Sequence, residues 1–380
     1  MAAAIDPRKT FPRRFVPSDA DAGRWEDIER LGHALLARRA ASPADLEQWL
    51  VDRSEFAAWI NQERTRQYIA MTSQTDDPER ERAYLAFVQK IEPRCKPLMH
   101  RLDLAHLKSP HRGCLPARYA VLERRVENRA ALYQEENVPL EVSESEAKLR
   151  YQKIMGAMTV HYRGEERTIQ QMAAFLEDPL RATREEAWRL SVQRRLQDVA
   201  ALRDLFDHLR GIRMEIARNA GFASYRDYIF RRHERFDYGP EHCLQFHDAV
   251  EAHFVPLAER LNEERRALLG VSTLRPWDLE VDPLGHPPLR PFARAEELAD
   301  RTEAILRRVS PEFGGWFRFM RDQGLLDVES RKGKAPGGYQ EDLTEARWPF
   351  IFMNAVGLDR DLRTILHESG HAVHALAVRE

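Results

Sequence analysis

The spacing of apolar positions predicts helices over most of the chain. The clearest pattern covers residues 183–220, where apolar side chains recur every three or four positions, as on one face of a helix. These positions are Leu202, Leu205, Phe206, Leu209, Ile212 and Ile216. Gly221 follows the pattern as a stop signal. Similar patterns predict helices over residues 240–269 and 294–308, so the expected fold class is mainly α.

One helix start is marked by its capping residues. Ser42 can cap the first turn with its hydroxyl, and Pro43 suits the first helical position because no partner is needed there for an amide. Asp45 at the third position adds a favourable negative charge to the helix N-terminus. A helix is therefore expected to begin at Pro43.

Two stretches break the helical pattern. In GAMTVHYRGEERTIQQM, polar and apolar residues alternate around Arg163 and Gly164, which predicts a β-hairpin near residues 157–170. The second break begins near Leu326 and passes through the Gly- and Pro-containing loop RKGKAPGGYQEDL. It ends in the apolar run 348–353, which is too short for a typical helix and predicts a strand. We therefore expect a small β element beside the helices.

The length of 380 residues favours two domains, or one large helical body with a subdivided core, and the hydrophobic content of 43% is enough to build such a core. We place an N-terminal helical domain with the β-hairpin at residues 1–180. Residues 181–380 form the second domain.

Charge and cysteine content exclude several classes of function. The formal net charge of −2 gives no reason to expect nucleic acid or an anionic membrane as a partner. Three dispersed cysteines, Cys95, Cys114 and Cys243, fit a reducing compartment without a disulfide framework. The N-terminus lacks the apolar core of a secretory signal, and no apolar run is long enough to span a membrane. A cytoplasmic location is expected.

The last predicted helix carries the candidate chemistry. Asp359 can cap a helix that begins around Arg360. An apolar stripe then runs along one face through Leu362, Ile365, Leu366, Ser369, Val373 and Leu376. At about 100° per residue, His367 and His371 lie opposite the centre of this stripe. The two imidazoles therefore project away from the core, as at the floor of a cleft.

The spacing of these histidines suits a metal ion. Residues four apart are one helical turn apart, so both rings can reach a single zinc ion at about 2 Å. Glu368 stands beside the first histidine, where it can take a proton from a metal-activated water and pass it to a leaving amine. The pattern His-Glu-x-x-His is therefore typical of a zinc peptidase.

An ordinary amphipathic helix with surface histidines is the alternative interpretation of this motif. His374 lies one turn beyond His371, but three ligands in line along one helix give poor tetrahedral geometry. We expect a supporting or packing role for His374.

A longer stretch resembles the oligoendopeptidase F branch of the thimet oligopeptidase family of zinc metallopeptidases. That family has a Gly-Gly-Tyr loop, an apolar strand and an H-E-x-G-H helix, in this order. The matching segments here are Gly337-Gly338-Tyr339, residues 349–354 and residues 367–371. The segments LRPWDLEVDPLG and ENVPLEVSESEAKLRYQKIMGAMTVHYRGEERTIQQM also resemble this family, so the likeness extends from about residue 115 to the end.

The resemblance implies a helical fold with a deep channel, zinc as the cofactor at one ion per complete site, and short peptides as substrates. His367 and His371 become zinc ligands, and Glu368 becomes the catalytic base and acid. The strand 349–354 is expected to lie at the cleft edge and to pair with the substrate backbone. The expected substrate-binding residues are Gly337, Gly338, Tyr339, Phe352 and Asn354. Residues 181–380 become the N-terminal part of the catalytic domain.

The chain departs from the family pattern after the second histidine. Family members take a third metal ligand from a glutamate on a following helix, whereas this chain ends at Glu380, which is expected to lie within the motif helix. The sequence therefore predicts a C-terminally truncated peptidase that is inactive alone. A non-catalytic helical binding protein or relic, and one half of a two-chain peptidase, are the alternatives.

Overall fold

The structure is a computed structural model that describes residues 6–379, and helices make up most of it. Its helices are α1 (Trp25–Ala37), α2 (Pro43–Ser73), α3 (Pro78–Ala86), α4 (Glu92–Leu107), α5 (Ala120–Leu132), α6 (Asn137–Gly156), α7 (Ile169–Met172), α8 (Arg181–Gln197), α9 (Val199–Asn219), α10 (Tyr225–Arg232), α11 (Pro240–Leu268), α12 (Ala295–Val309), α13 (Pro311–Asp322) and α14 (Asp359–Ala377). Its strands are β1 (Thr159–Tyr162), β2 (Glu165–Thr168), β3 (Leu326–Glu329), β4 (Tyr339–Leu343) and β5 (Trp348–Ala355). The mainly α class is confirmed.

Most helix predictions are confirmed, but the single helix expected over residues 183–220 is wrong. The backbone leaves helical geometry at Asp198 (φ −102°, ψ 9°), and this residue separates α8 from α9. The Asp198 carboxylate accepts a hydrogen bond from Arg194 at 2.5 Å, and aspartate is a weak helix former. Gly221 has φ +81° after the end of α9, as its role as a stop signal requires.

The capping prediction at the start of α2 is confirmed. The Ser42 hydroxyl accepts a hydrogen bond from the amide of Asp45 at 3.2 Å, and Pro43 is the first helical residue. This cap fixes the start of a 31-residue helix that passes close to the second sheet. The α2 residue Thr72 shares a hydrogen bond of 2.7 Å with the Tyr339 hydroxyl in β4.

The predicted hairpin is present as the antiparallel pair β1 and β2. Arg163 (φ 52°) and Gly164 (φ 81°) form its two-residue turn, and both lie in the left-handed region that such tight turns require. The register pairs Tyr162 with Glu165 directly across this turn.

The second sheet has the strand order β3-β5-β4. β5 lies in the middle, parallel to β3 and antiparallel to β4, and it is buried along most of its length. The strand predicted at residues 348–353 is confirmed, but its expected position at the cleft edge is wrong. Both edges of β5 are already paired, so β4 is the edge strand on the side facing α2.

Two apolar cores flank the chain's midpoint in sequence. One lies under the second sheet and joins β5 to α12, α13 and α14. The other joins α1, α2 and α4 near the N-terminus. The domain boundary near residue 180 stays a prediction. Across the described residues, no helix is both long enough and apolar enough to cross a membrane.

Candidate active site

The N-terminus of α14 is capped from inside the helix. Asp361 Oδ2 accepts hydrogen bonds from the amides of Val356 (2.7 Å) and Leu358 (2.9 Å). The cap expected at Asp359 is therefore wrong, because Asp359 is itself helical and pairs with Arg363 at 2.8 Å. A side chain at the third helical position that reaches back to the preceding amides satisfies donors that the helix leaves open.

α14 ends at Ala377, so the expectation that the chain stops within this helix is wrong. Val378 leaves helical geometry (φ −106°, ψ 10°), and the following Arg379 is buried. Glu380 lies outside the described residues.

One face of α14 packs against the sheet, as its apolar stripe predicts. Ile365 and Ala372 are buried in the core under β5, and Leu362 and Leu366 pack against the same core. Burial of this face fixes the rotation of the helix, and the opposite face is left to the histidines.

His367 and His371 stand together on the exposed face of α14. Their Nε2 atoms are 3.2 Å apart, and their rings are nearly perpendicular (86°) with centroids 4.8 Å apart. Two nitrogens that bind one tetrahedral zinc ion at 2.0–2.1 Å lie about 3.3–3.4 Å from each other. The pair therefore fits two ligand positions of a zinc ion without rearrangement.

Glu368 lies beside this pair and is 8% exposed. Within residues 6–379, its carboxylate has no hydrogen-bond or ion-pair partner. Its oxygens are not among the fully buried polar atoms that lack a partner, so they keep contact with solvent although most of the side chain is buried. The position is suited to proton transfer next to the imidazoles.

A cavity of about 760 Å³ opens beside His371. Four surfaces enclose it, each contributing residues at the spacing of a helix face, a strand face or an extended segment. They are His371, His374 and Ala375 of α14 with the following Val378; Gln340 and Asp342 of β4 with Thr344; Val51, Ser54, Glu55 and Ala58 of α2; and Phe11 to Arg14 near the N-terminus. Of the three motif residues, only His371 lines this cavity, and His367 and Glu368 do not, so the hollow expected in front of both imidazoles is present at one of them.

Within the part of the chain that the structure describes, no third metal ligand lies near the pair. No set of three His, Cys, Asp or Glu side chains with metal-binding geometry occurs among the residues that the structure describes. His374 is exposed and lines the cavity without joining the pair, as the straight-helix geometry predicts. His367 and His371 therefore fit two of the four ligand positions of a tetrahedral zinc ion.

The Gly-Gly-Tyr segment is held in place by the other predicted residues. Asn354 Nδ2 donates hydrogen bonds to the carbonyls of Ala335 and Gly337, both at 2.9 Å. Gly337 has φ +93°, which disfavours any other residue. A Cβ on Gly338 would lie 3.6 Å from Thr364 Cγ2 of α14. The segment is therefore a fixed connection packed near the motif helix.

Tyr339 and Phe352 stack between the sheet and α2. Their ring centroids are 4.6 Å apart and nearly parallel (5°), and Phe352 is fully buried. Burial also raises the pKa of the Tyr339 hydroxyl. Both side chains support the strand that carries the cavity wall. Their roles, and those of Gly337, Gly338 and Asn354, as substrate contacts stay predictions.

Sequence reasoning missed a buried ion pair behind the sheet. The Lys334 ammonium contacts Asp327 Oδ1 at 2.8 Å and donates to the carbonyls of Glu329 (2.9 Å) and Met353 (2.6 Å). Burial lowers the pKa of Lys334 to about 8 despite this pairing. The local pattern RKGKAP is typical of a solvated loop, so no signal in it marks Lys334 as buried.

A helix that presents two imidazoles one turn apart, beside a buried carboxylate, is the arrangement of the H-E-x-x-H peptidases. The family model described as peptidase family M3 matches residues 174–380, which is more than half of the chain. The chain belongs to peptidase family M3.

Similar proteins also carry the name of the expected branch. An oligoendopeptidase F homolog from Lactococcus lactis subsp. lactis (strain IL1403) is 29% identical over 133 residues, which are 35% of this chain and 21% of the relative. The plasmid oligoendopeptidase F of Lactococcus lactis subsp. cremoris matches with the same identity and coverage. The resemblance to the oligoendopeptidase F branch is confirmed.

Two solved structures share the fold over 97% of this chain. They are PZ peptidase A with an inhibitor (26% identical, TM-score 0.89) and an oligoendopeptidase F at 3.1 Å (27% identical, TM-score 0.88). This chain covers 66% of each of those chains. The second chain considered as an alternative gains no support from these comparisons.

Proposed function

We propose that this chain carries the metal-binding and proton-transfer residues of a zinc-dependent endopeptidase that cleaves short peptides through an activated water. The observation that carries the proposal is the imidazole pair with Nε2 atoms 3.2 Å apart, adjoining a buried carboxylate without a protein partner. Family membership supports the same reaction class.

His367 and His371 would hold the zinc ion, with each ring oriented by the packing of α14 on the sheet. Bound zinc supplies Lewis acidity, which polarises a peptide carbonyl and makes a water easier to deprotonate. Two imidazoles accept several divalent ions, so the choice of zinc over cobalt or manganese leans on the family.

Glu368 would receive the proton of the attacking water and deliver it to the leaving amine. Its position one residue after His367 places the carboxylate off the line of the two rings, which leaves room for water between them. Because most of the Glu368 side chain is buried, few positions are open to the carboxylate, and the transfer distance would change little between the two steps.

The peptide would lie in the cavity along β4. Main-chain pairing to an edge strand orients an extended peptide without reading its sequence, and Gln340 and Asp342 face the cavity from this strand. A hollow of about 760 Å³ enclosed by α2 and the N-terminal residues admits a short extended segment and excludes a folded domain. Short peptides are therefore the expected substrates.

The proposal is tested with a quenched fluorescent peptide, zinc and the variant Glu368→Gln, in a chain extended with its downstream reading frame, because the 380-residue chain alone is expected to be inactive. We expect hydrolysis to fall by at least about 100-fold, the usual contribution of a positioned general base, while zinc binding persists. Asp359→Asn at the other end of the same helix is the control and should leave hydrolysis unchanged. Full hydrolysis by Glu368→Gln would contradict the assigned mechanism.

Metal binding is measured separately with cobalt as a spectroscopic probe. His371→Gln should abolish the visible absorption of bound cobalt, whereas the matched variant His374→Gln, one turn further along, should retain it. Absorption that persists in His371→Gln would show that the pair His367 and His371 is not the binding site, and equal loss in both variants would show that His374 is also a ligand.

A further inference from the structure

The cavity beside His371 is closed on one side by residues 6–16, which we name the N-terminal strap. Its second half is fixed to α2 by one side chain. The Glu55 carboxylate accepts hydrogen bonds from the amides of Arg14 (2.9 Å), Phe15 (3.0 Å) and Val16 (2.8 Å). Three amides on one carboxylate hold the backbone of Arg14 in a defined position at the cavity wall.

The other end of the strap is fixed to the end of α14 and to the sheet. The Arg379 guanidinium donates to the carbonyls of Pro7 (2.5 Å) and Lys9 (2.7 Å). The Trp348 indole of β5 also donates to the Pro7 carbonyl, at 3.2 Å. The strap is therefore part of the site's architecture, and its side chains have fixed starting points.

Most cations that line this cavity already have partners. Arg13 pairs with Glu345 at 2.5 Å. Arg347 lies over the Phe11 ring at 3.8 Å and donates to the Arg379 carbonyl. Arg14 is different: its side chain is exposed, it lines the cavity, and within residues 6–379 its guanidinium has no hydrogen-bond or ion-pair partner.

The acids of the cavity do not supply that partner. Glu55 is occupied by strap amides, and Glu345 accepts from Arg13 and from Gln62 at 3.0 Å. Asp342 accepts from the neighbouring Gln340 at 2.7 Å. An unpaired guanidinium on a fixed backbone, facing a cavity of peptide size, is suited to bind an added carboxylate in a bidentate manner.

We propose that Arg14 binds a carboxylate of the peptide in the cavity beside His371, and so sets a preference among substrates. This inference rests on the proposed peptidase function and names a chemical class that the function alone does not specify. The carboxylate has two sources, the C-terminus of the peptide or an acidic side chain. Both present the same planar pair of oxygens to the guanidinium.

The test measures binding, not cleavage, by the fluorescence anisotropy of dye-labelled pentapeptides without added zinc, with each peptide checked by mass spectrometry to be intact. The probes are Ala-Ala-Phe-Leu-Ala with a free C-terminus, the same peptide as its C-terminal amide, and an amide in which glutamate replaces one alanine. For the unaltered chain we expect a carboxylate-bearing probe to bind about five- to tenfold more tightly than the neutral amide.

Arg14→Gln should remove this preference and leave the affinity for the neutral amide unchanged. Preference for the free C-terminus alone assigns Arg14 to the peptide end, and preference for the glutamate amide alone assigns it to a side chain. Arg8→Gln is the matched control, because Arg8 is an exposed strap arginine that lines a different cavity. Asp342→Asn should not lower the affinity for the carboxylate-bearing probes.

The proposal is overturned if Arg14→Gln lowers the affinity for the carboxylate-bearing probes and for the neutral amide equally, or if the preference for a carboxylate survives in that variant. It is also overturned if the unaltered chain shows no preference or binds none of the probes. These outcomes are separate from the Glu368→Gln result. Peptides can be cleaved without selection by Arg14, and they can be selected by Arg14 even if the assigned base is wrong.

Discussion

Asp327 of β3 makes two hydrogen-bonded ion pairs with residues of the loop before β4, with Arg331 at 2.7 Å and with Lys334 at 2.8 Å. Burial alone would raise the pKa of Asp327, but the hydrogen bonds from both cations outweigh it and lower this pKa to about 2. The unfolded chain, with a pKa near 3.8, therefore binds a proton more readily than the folded chain. The resulting stability is complete above about pH 4 to 5 and is lost as the pH falls towards 2.

Acid titration of Asp327→Asn tests this residue. The variant should be less stable than the unaltered chain at pH 6, because Lys334 keeps its buried charge without a carboxylate partner. The gap in unfolding free energy should narrow by about 1 kcal/mol between pH 6 and pH 3, roughly half of the full linkage contribution. Urea unfolding followed by circular dichroism measures both values. A gap that does not change with pH would show that the Asp327 pKa is not lowered.

At the residue scale, local spacing was enough for the candidate catalytic residues and insufficient for the supporting ones. His367, Glu368 and His371 lie within one helical turn and a half, so their relative placement follows from helix geometry. The buried Lys334 ammonium donates to the carbonyls of Met353 and Glu329, and the Arg14 amide donates to the Glu55 carboxylate. Such contacts between distant parts of a chain leave no local pattern.

At the scale of elements, the cap of α14 has a measurable consequence. Asp361→Ala removes the acceptor for two amides and should lower the unfolding free energy by about 1–2 kcal/mol. Asp359→Ala is the control, because its pair with the largely exposed Arg363 contributes little. Thermal unfolding of both variants provides the comparison, and equal losses would contradict the assignment of Asp361 as the cap.

Helix boundaries could be predicted from sequence more readily than strand positions. Caps and stop signals such as Ser42 and Gly221 act within one turn, and the structure has them in their predicted roles. The order of β3, β5 and β4 depends on pairing across loops, so an apolar run indicates a buried strand without revealing whether it is central or at an edge. The break at Asp198 shows that a continuous apolar stripe can also span two helices.

At the scale of the whole molecule, the strap predicts a local change in protease sensitivity. Glu55→Ala removes the acceptor for three strap amides and should release the segment around Arg13 and Arg14. Trypsin should then cut at these arginines several times faster, with cleavage elsewhere unchanged. Glu63→Ala on the same helix is the control, because Glu63 accepts from Gln67 and holds no strap amide within residues 6–379. Mass spectrometry of timed digests identifies the cut sites, and an unchanged rate would show that Glu55 does not hold the strap.

The general fold could be recognised from sequence because a helical pattern and an ordered set of motifs extend over much of the chain. The walls of the cavity could not be recognised from sequence, because they combine residues from both ends of the described chain with residues of α2. No periodicity in residues 6–16 marks them as a wall.

The hydrogen bond between Arg379 and Pro7 spans 372 positions in sequence. During synthesis, Pro7 can form this contact only after Arg379 has left the ribosome. The wall that the strap gives to the hollow beside His371 is therefore completed late.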